Sequence, residues 1–173
     1  NANTTGAENT AVGFDSLKLN TTARQNTGFG TSTLRDNTTG ACNTAVGFNN
    51  LVLNTTGCCN TAVGNNSLSS NTTANNNTAV GQSSLSANTT GSHNTAVGHC
   101  ALKTNTTGEL NVAIGCSSLL GNTEGLDNVG IGNKALCVNT TGDCNVAIGR
   151  LAMRNNTTAV SYTHLRAHET KTD

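Results

Sequence analysis

The chain repeats every seventeen residues with no insertion or deletion, the frame restarting at Asn9, Asn26, Asn43, Asn60, Asn77, Asn94, Asn111, Asn128 and Asn145. A period held this strictly restricts the fold to a stack of like units, each too small to bury a core alone and each stabilised by its neighbours. Helical units would need long runs free of breakers. Each unit here instead carries glycine at its fifth position, Gly or Ala at its fifteenth, and an Asn-Thr corner at its twelfth and thirteenth. Together with the β-branched enrichment near the unit's start, these features oppose helix and favour short strands joined by tight corners. The expected fold is all-β: a parallel β-solenoid with seventeen-residue rungs. At about 4.8 Å per rung, nine rungs make a thin rod roughly 43 Å long.

Within a rung, Thr or Val stands second and Val, Ile or once Phe29 stands fourth, with only Ala or Gly between them. Period-two alternation puts the second and fourth positions on one face of a strand, and their β-branched character assigns that face to the interior. The expected core therefore pairs Val46, Val63, Val80, Val97 and Ile114 with the ninth-position row Leu51, Leu68, Leu85, Leu102 and Leu119. On this reading the Ala/Gly row at the third position points outward, where its small side chains admit close approach of another surface. That surface is expected to be a second copy, giving a homo-oligomer, a trimer being favoured, while a flattened coil whose opposite wall meets the row is the competing reading. The invariant fifth-position glycine fits a corner at positive φ or a tight approach.

Composition restricts the partners. With a formal net charge of +0, 10% charged residues and no basic stripe, the chain lacks an electrostatic footprint for nucleic acid or an anionic membrane. No apolar run approaches the roughly twenty residues that cross a bilayer, so membrane insertion is not expected. No carboxylate pair, nucleophile with base, or phosphate loop recurs along the repeat, which points away from catalysis and from a cofactor; isolated Asp15, Asp36 and Glu109 read as solvated edge charges.

The corner asparagines Asn3, Asn20, Asn37, Asn54, Asn71, Asn88, Asn105, Asn122 and Asn139 stand in one column. Stacked amides bonding rung to rung along the axis are the preferred reading. The competing one is N-glycosylation, since Asn20, Asn37, Asn54, Asn71, Asn88 and Asn105 each begin an Asn-x-Thr acceptor. Asn122-Thr123 persists although Glu124 destroys that acceptor, which favours the ladder. Cys42 and Cys59 share the seventeenth position of successive rungs, one rung apart and inside the Cα window of a disulfide, with Cys58 as competitor; free surface thiols are the alternative. His99, Cys100 and Cys116 would converge by stacking, but without CxxC or HxxxH spacing they are read as surface residues and no metal is expected. Rows of Thr invite an ice-binding reading. It needs two outward columns, and none is expected while the second position is assigned inward.

The units at residues 111–127, NVAIGCSSLLGNTEGLD, and 145–153, NVAIGRLAM, resemble the head repeats of trimeric autotransporter adhesins. The NTAVG…NTTG form is similar to repeats in bacterial and phage tail-fibre-like surface proteins. The resemblance spans residues 1 to about 159 and departs from the adhesin head in its longer unit. It implies a left-handed β-roll, a location outside the cell or on a virion, and a role as fibre shaft or adhesive stalk. A self-assembling filament with rods joined end to end, and a module whose lateral face takes surface glycan or ice, are the alternatives. Residues 1–8 form a partial rung and residues 9–159 the nine-rung array, read as a window on a longer one. Residues 160–173, which break the frame at Tyr162, closely resemble the in-frame translation of a transposase adapter used in sequencing libraries; they are expected to be a disordered, non-native tail.

Overall fold

The computed structural model describes residues 2–158 and 163–165. Each rung contributes one short strand: β1 Thr10–Val12, β2 Thr27–Thr31, β3 Thr44–Phe48, β4 Thr61–Asn65, β5 Thr78–Val80, β6 Thr95–Val97, β7 Val112–Ile114, β8 Val129–Ile131 and β9 Val146–Ile148. All pair in parallel in chain order, and each residue faces the one seventeen places on, as Ala45 faces Ala62 and Ala62 faces Ala79. The strand ladder is only one part of the axial bonding. Leu51 N–H donates to Ser67 O at 3.1 Å, Thr55 N–H to Thr72 O at 2.9 Å and Cys59 N–H to Ala41 O at 3.0 Å, so the corners are zipped rung to rung as well. The fold is a parallel β-solenoid without helices among the described residues.

The strands are turned over relative to the expectation from alternation. Ala45, Ala62, Ala79, Ala96, Ala113 and Ala147 are fully buried, whereas Val80, Val97 and Ile114 are exposed and Val46 and Val63 only half-buried. The five β-branched residues expected in the core therefore lie on the outer face, and the Ala/Gly row forms the inner one. The cause is the width of the coil. A Cβ built at Gly130 falls 2.7 Å from Ser118 Oγ and 3.2 Å from Leu119 Cγ, both in the preceding rung, so at the third position even a methyl group presses on its neighbours and a larger side chain has no space. Leu51, Leu68, Leu85, Leu102 and Leu119 fill the interior, as expected for that row. Because the Ala/Gly row is covered by the chain's own leucines, it is closed to a second copy.

Among the described residues, three non-glycine positions of the rungs adopt left-handed backbone: the seventh, the ninth and the seventeenth, as at Ser83 (φ 55), Leu85 (φ 50) and Asn76 (φ 59). This conformation costs an L-residue roughly 1–2 kcal/mol, and Leu is seldom found in it. Here the turn at the ninth position aims the leucine inward while its N–H bonds forward to the next rung, Leu85 N–H to Ala101 O at 3.0 Å. Packing and the axial bond together hold the conformation.

Thr163–Leu165 forms β10, paired in parallel on β9 with Thr163 opposite Val146 and Leu165 opposite Ile148. The expected disordered tail is thus corrected for these three residues, which continue the sheet in phase although their sequence breaks the repeat. An exposed strand edge offers unsatisfied N–H and C=O groups to any extended segment. The remainder of the tail, residues 160–162 and 166–173, lies outside the described residues, as does residue 159 at the end of the array.

Candidate functional site

Two asparagine columns run through the interior. In the corner column, Asn54 Nδ2 donates to Asn37 Oδ1 at 2.8 Å and to Gly57 O at 2.9 Å, while Asn54 Oδ1 accepts from Asn71 Nδ2 at 2.8 Å. The same bonds link Asn3 to Asn20, Asn20 to Asn37, Asn71 to Asn88, Asn88 to Asn105, Asn105 to Asn122 and Asn122 to Asn139. From Asn20 to Asn139 both amide hydrogens are used and the side chains are buried, while Asn3 at the column's end is exposed. The N-glycosylation reading of Asn20, Asn37, Asn54, Asn71, Asn88 and Asn105 is corrected accordingly: an acceptor nitrogen must reach solvent, and these face the core.

The second column was not singled out from sequence, although its signal was present in the Asn that opens every rung. Asn43 Nδ2 reaches across its own rung to Gly57 O at 2.8 Å, and Asn43 Oδ1 accepts the backbone N–H of Asn60 at 2.9 Å. The first column ties corner to corner along the axis. The second ties the strand's start to the opposite corner and to the next rung. Thr55 Oγ1, bonded to Thr72 O at 3.1 Å, represents a third, half-buried row that does the same at the coil's edge.

The outer face of β1–β9 presents two uncharged columns. Thr10, Thr27, Thr44, Thr61, Thr78 and Thr95, then Val112, Val129 and Val146, form one; Val12, Phe29, Val46, Val63, Val80, Val97, Ile114, Ile131 and Ile148 form the other. The pairing register holds both in phase along the sheet. The inward facing expected for the second position is corrected by the same reversal that moved the valines out: one Thr column is turned outward beside a Val/Ile column, and a two-column Thr face does not form. Of the chain's three phenylalanines, Phe29 stands in the second column, while Phe14 and Phe48 stand exposed at the sixth position of the first and third rungs, beyond the two columns.

Cys42 and Cys59 stand exposed in adjacent rungs as free thiols. Like residues in stacked rungs keep their Cβ atoms near the rung spacing of about 4.8 Å, beyond the roughly 3.5–4.5 Å of a disulfide, although their Cα atoms satisfy it. Desolvation pushes the Cys59 thiol above its ordinary range, and the neighbouring thiols of Cys42 and Cys58 push it further. His99 lies between Cys100 Sγ at 3.4 Å and Cys116 Sγ at 3.8 Å. Among the described residues no group of three or more His, Cys, Asp or Glu side chains is placed to hold a metal ion. Arg35 grips Asp36 through Nε to Oδ1 at 2.7 Å and a second guanidinium N–H to Oδ2 at 2.8 Å; that hydrogen bonding holds the Asp36 carboxyl below its usual range. No helix among the described residues is long and apolar enough to cross a membrane.

No family model, curated protein or solved structure matches the chain.

Proposed function

We propose that this chain is a non-catalytic structural shaft, a length of fibre or stalk exposed outside the cell or on a virion, which spaces or presents a binding element. The observation that supports it is the continuous axial bonding: backbone, Asn and Thr rows join every rung to the next, so tension along the rod is shared among many parallel hydrogen bonds. The outward sixth and tenth positions vary freely between rungs, as suits a spacer. The location outside the cell rests on the resemblance to adhesin and tail-fibre repeats. A trimer rests on that resemblance too, since the Ala/Gly row first assigned to it is buried.

Electron microscopy of the purified chain, combined with pulling single molecules from their two ends, tests the shaft. Discrete short rods that resist axial force and yield in rung-sized steps support it; a chain that extends without resistance overturns it. The second reading, an end-to-end filament, is favoured by β10, which shows the sheet edge taking a strand of unrelated sequence. Indefinite fibres with an axial repeat near 4.8 Å would select it.

A further inference from the structure

Internal comparison of the rungs separates positions by what fixes them. Inward positions vary little, because the coil's interior fits only Asn, Ala, Leu and small residues. Most outward positions vary widely: the sixth runs Phe14, Thr31, Phe48, Asn65, Gln82, His99, Cys116, Asn133 and Arg150, and the tenth and seventeenth admit Lys, Glu, Leu and Cys alike. The second, fourth and fourteenth positions break this rule. The fourteenth, at an exposed corner off the strand, is Thr in every rung but that of Glu124; the second and fourth, half-buried to exposed on the strand's outer face, hold only Thr, Val, Ile and one Phe through nine rungs, never a charge. A constraint of this kind, repeated at each rung, is what a periodic ligand would impose.

From β4 to β9 the two columns are free of aromatic rings: Thr61 with Val63, Thr78 with Val80, Thr95 with Val97, Val112 with Ile114, Val129 with Ile131 and Val146 with Ile148. Their spacing is set by the sheet, at about 4.8 Å between rungs and roughly 6.6–7 Å between columns two residues apart. Hexagonal ice presents rows of oxygens at similar spacings along and across its prism face. Side chains stiff at χ1 on a backbone bonded at every rung keep the array regular, and an uncharged face does not bind a disordered hydration shell. Threonine hydroxyls can both donate and accept hydrogen bonds, and the methyl groups between them order first-shell water. An ionic mineral would demand charge. A crystalline polysaccharide would be served by aromatic platforms, which are confined to the first three rungs at Phe14, Phe29 and Phe48.

We infer that the Thr/Val–Val/Ile face of β4–β9 is an ice-binding surface, its ligand the ordered water layer of an ice crystal plane. The inference is independent of whether the rod serves as a shaft.

The full chain carrying a fluorescent label is grown into an ice hemisphere and its inclusion measured, with thermal hysteresis read in parallel. The wild type is expected to be concentrated in the ice and to arrest crystal growth. Val97→Lys and Ile114→Lys, on the face, should be excluded from ice like an inert control protein, whereas Thr107→Lys, exposed at a corner off the face, should bind as the wild type does. Circular dichroism and urea midpoints establish that each variant is folded; if Val97→Lys unfolds, Thr95→Lys takes its place. Exclusion of the wild type, retention by a folded on-face variant, or a solution mass showing this face closed by a second copy each overturns the inference.

Discussion

Asn71 Nδ2 lies 2.8 Å from Asn54 Oδ1, and Asn71 Oδ1 in turn accepts from Asn88 Nδ2 at 3.1 Å. Asn71 also donates to Ala74 O at 3.1 Å, but that carbonyl keeps Asn60 Nδ2 at 2.8 Å, so removing the Asn71 side chain strands the Asn54 acceptor on one side and an Asn88 donor on the other. Each unsatisfied buried group costs about 1–3 kcal/mol. Asn71→Ala is therefore expected to destabilise the rod by about 3 kcal/mol or more, while Thr73→Ala, at the exposed corner, stays within about 0.5 kcal/mol. Urea unfolding of the two variants against the wild type measures both.

Asn71→Asp sharpens the same point through pH. Burial disfavours the charged carboxylate and raises its folded pKa above the ordinary value near 3.9. A raised carboxyl pKa means that the folded state binds a proton the unfolded state releases, so the penalty grows as pH rises through and above that ordinary value. The variant should be less damaged at pH 4 than at pH 7. Equal destabilisation at both would show that the corner side chain is hydrated.

The turn-over of the strands shows which features the sequence could and could not disclose. The period, the β-solenoid, the Leu row and the corner Asn column follow from spacing and residue type alone. The facing of the strand does not, because alternation yields two faces without saying which is inside, and β-branched residues are ordinarily the better candidates for a core. What decides here is the coil's width, a property of three-dimensional closure: with Leu119 and Ser118 already pressed against Gly130, a Val row has no room. The inward column beginning each rung was visible as an invariant Asn but carried no corner signature. The left-handed leucines had no signal at all, since their φ is set by packing.

Gly47 has φ +127, and a Cβ on it would collide with the carbonyl oxygen of Gly64 in the next rung. Gly47→Ala therefore combines a strained backbone with a backbone clash and is expected to cost about 3 kcal/mol or more. Gly57 is also crowded, by Ala74 O, but its φ is ordinary and Ala23 and Ala74 already occupy the same position of other rungs. Gly57→Ala should cost about 1 kcal/mol or less. Thermal unfolding of the pair separates conformational from steric constraint.

Leu85 is fully buried at φ 50. Met153 occupies the equivalent position at φ 47, so Leu85→Met is expected to cost less than about 1.5 kcal/mol. Leu85→Ile keeps the volume but places a β-branched side chain in left-handed backbone, where it fits poorly; its cost should exceed that of Leu85→Met. Leu85→Ala, by contrast, opens a cavity worth about 2–5 kcal/mol. The decisive comparison is Ile against Met in chemical denaturation, since a core that responded to volume alone would score them the same.

Cys59 and Cys144 share the seventeenth position, both exposed, but only Cys59 has the thiols of Cys42 and Cys58 beside it. A thiol pushed upward holds less thiolate at any pH below its pKa, and the thiolate is the reacting form. Desolvation is the larger cause of the shift and the neighbouring thiols the smaller one. Alkylation near pH 7.5, followed by mass spectrometry, should modify Cys59 more slowly than a short cysteine peptide in the same tube, and the gap should close as the pH is raised. Replacing both neighbours, Cys42→Ser with Cys58→Ser, removes the charge contribution and leaves the desolvation, so Cys59 should accelerate without reaching the rate of the peptide. Unchanged Cys59 kinetics in that double variant would mean that its thiol does not feel the adjacent rung, contrary to the in-phase stacking on which every column in the rod depends.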